Sequence, residues 1–121
     1  MGSMVMIDEK NLQCILRDFA NDRDWEQFHT PRNLISALNV EAGELLELFQ
    51  WESDNHVVDI NNLNTRQKIE DEIADVFIYL LRIADKLDVS LEDIVLSKIT
   101  KNAKKYPIEK SKGNAIKYTE L

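Results

Sequence analysis

Glycine, proline and cysteine are nearly missing from this 121-residue chain, which has 3 Gly, 2 Pro and 1 Cys. With Gly2, Gly43 and Gly113 as its only glycines, it cannot build a glycine-rich phosphate loop. Pro31 and Pro107 are the only prolines, so the turn residues of a hairpin-rich sheet are also lacking. Cys14 stands alone; neither an intrachain disulfide nor a multi-cysteine zinc site can form, and a reducing, cytoplasmic setting is expected. No stretch gathers Lys and Arg around interleaved aromatics, and 15 basic against 22 acidic residues leave a net charge of −7. That balance argues against a nucleic-acid polymer or a membrane surface as partner. The apolar runs are short and flanked by polar residues, so neither a signal peptide nor a membrane span is expected. Met1-Gly2-Ser3 before a second start at Met4 reads as a cloning remnant, which leaves residues 4–121 as a single domain.

What is there is helical periodicity. Between Pro31 and Pro107 the apolar residues recur at three- and four-residue steps around a single glycine, which predicts an all-α fold. A first helix is expected from about Asp8 to Asn21, with Leu12, Ile15, Leu16 and Phe19 on its apolar side. Thr30-Pro31 supplies an N-cap and a first-turn proline for a second helix reaching about Trp51. Ser53 to Asn64 reads as a loop, with Thr65 capping a third helix to about Leu87. Ser90-Leu91-Glu92-Asp93 opens a fourth helix, which Pro107 stops; the tail from Ile108 to Leu121 shows no period.

At about 100° per residue, Leu34, Leu38, Leu45 and Leu48 form one stripe of the second helix, and Glu41 falls in its middle. A carboxylate among leucines is at least partly desolvated and needs a partner. Glu44 sits one turn on, beside Trp51, while Glu47 lies farther toward solvent. The third helix repeats the pattern: Ile69, Ile73, Val76, Leu80, Ile83 and Leu87 fall within about 40° of one line. Glu72, Asp75 and Tyr79 flank that line. Two helices each offering an acid pair at i, i+3 beside a core suit a hard divalent cation, with Mg²⁺ leading and Mn²⁺ as a substitute. The competing explanation is that such pairs are solvated faces, the usual fate of Glu-x-x-Glu, and Glu41 is the residue that breaks it. A di-iron bundle fits less well, because neither His29 nor His56 follows a Glu by three.

On the fourth helix the side that begins with Leu91, Ile94 and Val95 continues as Lys98, Asn102 and Lys105. Either these groups hold an anion such as a triphosphate, or they are a solvated last turn complementing the helix dipole. The aromatics are similarly divided: Trp25, Phe28, Trp51 and Tyr79 can all fill a core, but Trp51 and Tyr79 on the acidic flanks also suit a stacked base. His29, just before the Thr30-Pro31 start, is a structural histidine or a base or sugar contact. No serine or cysteine has an arguable histidine partner for covalent catalysis.

Glu41-x-x-Glu44, Glu72-x-x-Asp75 and Lys98-x-x-x-Asn102-x-x-Lys105-Tyr106-Pro107 together resemble the MazG-like all-α nucleoside triphosphate pyrophosphatases. Asp24-Trp25-Glu26-Gln27-Phe28-His29-x-Pro31-Arg32-Asn33-Leu34, Glu47-Leu48-Phe49-Gln50-Trp51 and the terminal Lys117-Tyr118-Thr119-Glu120-Leu121 are similar to the dCTP pyrophosphatase branch. The resemblance spans roughly residues 8–121. It implies a four-helix MazG-like bundle that hydrolyses dCTP or related and modified deoxynucleoside triphosphates to monophosphate and pyrophosphate, a nucleotide house-cleaning role. It further implies that Glu41, Glu44, Glu72 and Asp75 are the catalytic, Mg²⁺-holding residues. Trp25, His29, Trp51, Tyr79 and Asn102 would meet base and sugar, and Lys98, Lys105, Tyr106 and Lys117 the phosphates. Members form dimers or dimers of dimers, so a homo-oligomer is expected. One departure is Arg17, standing where vertebrate members carry a histidine near the base pocket; it bears on base preference. The alternative of another class is a non-catalytic helical oligomer that binds nucleotide or a protein partner.

Overall fold

A computed structural model describes residues 6–121; Met1-Gly2-Ser3, expected to be a cloning remnant, lies outside them. The elements are α1 (Glu9–Asp22), α2 (Pro31–Glu47), α3 (Leu63–Leu87), α4 (Leu91–Lys105) and α5 (Ile108–Ser111), with 3-10 turns at Glu26–Phe28 and Tyr118–Glu120. No strand occurs among the described residues, and the all-α expectation holds. None of these helices is long and apolar enough to cross a membrane.

Each long helix starts on a side chain that accepts from the otherwise orphaned amides of its first turn. Asp8 accepts from the Asn11 amide at 3.0 Å, Thr30 from Asn33 at 3.2 Å, and Ser90 from Asp93 at 3.2 Å. The third cap differs from expectation. Asn62, not Thr65, opens α3, because its Oδ1 reaches the amides of both Asn64 and Thr65 at 3.1 Å. The second helix ends at Glu47 and not near Trp51; Leu48 to Trp51 form turns. Asp88 closes α3 in the left-handed region at φ 54, a conformation Asp tolerates better than most residues.

The fold divides after Asp88 into two compact units, the second being Val89–Leu121. Within the first, α3 packs against both α2 and α1. Leu34 on α2 and Leu81 and Ala84 on α3 are buried, as is Ala20 on α1. Contact on two sides turns the buried arc of α3 away from the expected line. Leu81, Arg82 and Ala84 are enclosed, whereas Ile73, Leu80 and Leu87 keep 53%, 38% and 53% exposure. On α1 the buried positions are Gln13 and Ala20, seven apart, and Ile15 and Phe19 remain exposed. The small Ala20 permits close approach, and the Gln13 amide donates to the Leu81 carbonyl at 3.0 Å, which satisfies a polar group inside the contact. In the second unit α4 buries none of its residues, and Ile94, Val95, Leu96 and Ile99 are exposed.

Candidate active site

Packing α2 on α3 brings together acids 31 positions apart in sequence. Glu41, Glu72 and Asp75 are half-buried, and each offers one oxygen such that the three lie within 4.8 Å of one another. One oxygen each of Glu41 and Glu72, both Oε2, is enclosed without any hydrogen-bond partner. Enclosed carboxyl oxygens without a donor are costly, and a hard divalent cation with oxygen preference removes the cost. The donor set therefore fits such an ion.

The electrostatics agree. Burial, then contact with the Glu72 and Glu44 carboxyls and the charges of Glu44 and Asp75, pushes the Glu41 carboxyl up to about 7. Glu72 is also raised, first by burial. Glu44 is exposed and outside the three-oxygen group, yet its charge acts on Glu41. Tyr79, one turn beyond Asp75, is half-buried; burial and then the charges of Glu41 and Asp75 raise its phenol.

The other expected residues of the first unit lie before and after α2. Trp25 is 43% exposed and stands edge-on to Phe19, with centroids 5.8 Å apart, and 6.2 Å from the His29 ring. Trp51 follows α2 and is 78% exposed. His29 is half-buried at the end of the 3-10 turn, a position fixed by Asn33, whose amide donates to the Phe28 carbonyl at 2.9 Å. In the second unit Lys98 and Lys105 are close enough that the latter's charge lowers the former's pKa. The Lys105 ammonium lies 4.7 Å from the centroid of Tyr118, whose ring meets Tyr106 edge-on at 6.0 Å. Asn102 is exposed and its carbonyl accepts from the Tyr106 amide at 2.9 Å; Lys117 is exposed.

Sequence reasoning missed a charge network behind His29. Arg82 on α3 is only 3% exposed, and its Nη2 donates to Glu26 Oε2 at 2.8 Å and to His29 Nδ1 at 3.1 Å. Lys86 pairs with the other oxygen of Glu26. Asp85 Oδ2 lies 3.6 Å from Arg82 Nη1 and accepts from Arg17 Nε at 2.8 Å. The signal was present: Arg82 is the single charge in the apolar run Val76 to Ala84.

The MazG-like family matches residues 36–121. The dCTP pyrophosphatase 1 of Mus musculus is 47% identical over 117 residues, covering 93% of this chain and 69% of the relative. That of Homo sapiens is 45% identical over 124 residues, covering 99% and 73%. The crystal structure of a pyrophosphatase from Archaeoglobus fulgidus superposes with a TM-score of 0.71 at 35% identity, covering 88% of this chain and 99% of that one. Acid spacing, helical architecture and identity across nearly the full length agree: the chain belongs to the MazG-like family.

Proposed function

We propose that the chain is a nucleoside triphosphate pyrophosphatase that hydrolyses deoxynucleoside triphosphates, dCTP and its modified relatives foremost, with Mg²⁺ as cofactor. One observation carries this reading: the three-oxygen cluster of Glu41, Glu72 and Asp75, with two enclosed oxygens that have no partner. The identity to dCTP pyrophosphatases supports the substrate class, and the family match running across the division at Asp88 supports one functional domain over residues 4–121.

Glu41, Glu72 and Asp75, joined by Glu44, would hold the ion. Bound there, Mg²⁺ supplies neutralisation of phosphate oxygens and a lowered pKa for water. The protein's own part follows from charge. A chain of net charge −7 repels a triphosphate unless cations intervene, and Lys98, Lys105, Tyr106 and Lys117 are the candidates on the protein side. Trp25, Trp51 and Tyr79 offer ring faces for a base, and His29 and Asn102 hydrogen-bonding edges. Water adds across the bond between the α and β phosphates, giving monophosphate and pyrophosphate. We also read the chain as a homo-oligomer, a dimer or a pair of dimers, on the strength of the exposed line Ile73, Leu80 and Leu87.

Incubating the purified chain with Mg²⁺ and a panel of nucleotides tests the reading. Pyrophosphate is the expected product; stepwise orthophosphate, or no turnover of any nucleotide, overturns it. Glu41→Gln and Glu72→Gln each lower kcat by at least about 100-fold with helical content unchanged by circular dichroism. Near-normal turnover in either variant removes the acids from the mechanism.

A further inference from the structure

An arginine guanidinium carries five N–H donors and no acceptor. The 3.1 Å contact between Arg82 Nη2 and His29 Nδ1 therefore uses the nitrogen lone pair of the imidazole. A lone pair at Nδ1 leaves the ring proton on the opposite nitrogen, Nε2. We propose that Arg82 is a positioning residue: it holds His29 in the tautomer protonated at Nε2, so that the ring offers the nucleotide a donor and selects a base or sugar atom that accepts. An exocyclic amine hydrogen is refused at that position, and a ring nitrogen or carbonyl oxygen of a pyrimidine is taken.

Three features of the fold make the lock firm. Arg82 is 3% exposed, and Glu26 fixes its Nη2 at 2.8 Å, with Lys86 holding the other oxygen of Glu26. Asp85, between Arg82 and Arg17, offsets part of the remaining positive charge. Protonating the second ring nitrogen is opposed by burial and by the Arg82 charge, both of which push the His29 pKa down. His29 is also tied to the acids through α3. Asp75, Tyr79 and Arg82 stand at i, i+4 and i+7, within about 60° of one line, and the last lies about 10 Å along the helix from the first. Phosphates at the acids and a base at His29 match that spacing on the length scale of a nucleotide.

The inference rests on the pyrophosphatase reading for its ligand but not for its tautomer, which follows from the contact between Arg82 Nη2 and His29 Nδ1 alone. Long-range ¹H–¹⁵N correlation spectra of the full chain are expected to show His29 with a bare Nδ1 and a protonated Nε2. Adding Mg²⁺ and a non-hydrolysable dCTP analogue is expected to shift the Nε2–H pair while leaving Nδ1 bare. Arg82→Lys, which keeps a cation with a different donor geometry, mixes the tautomers and raises KM by about 10-fold with a smaller effect on kcat. Should that variant not fold, Glu26→Gln loosens the guanidinium in place and gives the same direction of change. A proton on Nδ1 in the wild-type chain, or an unchanged tautomer in a folded variant, overturns the role of Arg82. If the tautomer is as expected but no nucleotide moves the His29 signals, the ligand reading fails instead, and the two failures are told apart.

Discussion

Glu41 carries the clearest conflict between stability and chemistry. Its carboxyl is raised to about 7 by burial and by neighbouring acids, so the folded chain resists losing a proton that the unfolded chain releases readily at its ordinary value. Stability of the metal-free protein is therefore full below the ordinary carboxyl range and declines as pH climbs toward about 7. Metal-free Glu41→Gln is expected to melt a few degrees above wild type in alkaline buffer, with the gap closing in acid; scanning calorimetry across pH checks it. Cation binding runs the other way, since protons compete for the same oxygens. Calorimetric affinity for Mg²⁺ should rise as pH passes upward through about 7 and level off above it. A pH-independent affinity contradicts Glu41 as a ligand.

At the level of the helices, much was legible and some was not. The caps Thr30 and Ser90 follow from side-chain chemistry that is local in sequence, and Asp8, expected as the start of α1, proves to be its cap. Asn62 was missed because a run of Asn and Asp before α3 offers several capping side chains, and only geometry chooses among them. The Glu41 and Glu72 flanks could be placed because 3.6-residue periodicity fixes angle around an axis. It does not fix which partner helix covers which arc. Thus the place of Arg82 inside an apolar run hints at burial, but only contacts from outside its helix, with Glu26 and His29, show what its guanidinium meets. Leu34 is the test of the α2–α3 contact that aligns the acids, being one of the most enclosed side chains at 1% exposure. Leu34→Ala should cost about 3 kcal/mol in a denaturant titration. It should also weaken Mg²⁺ binding, although the residue touches no ion, because the contact sets the distance between Glu41 and Glu72.

For the chain taken entire, acidity and exposed hydrocarbon set the expectations. Ile73, Leu80 and Leu87 recur every seven residues along α3 and remain exposed, a pattern that a second copy would cover. Sedimentation is expected to show an oligomer for wild type and a smaller species for Leu87→Glu; a monomeric wild type contradicts the reading. Composition already excluded a glycine-rich phosphate loop and a disulfide scaffold, and it argued against a nucleic-acid partner. It could not reveal oligomeric order, because a helix with an uncovered apolar line looks the same in sequence as one whose line is covered within its own chain.

An α-helix does not stretch, so the two turns of α3 from Asp75 to Arg82 behave as a ruler with a mark at each end. A substrate held by Asp75 at one mark and by the His29 that Arg82 positions at the other has its length measured. Deleting one residue between them would swing the far mark through about 100° and slide it about 1.5 Å, spoiling the gauge while leaving every gripping side chain intact.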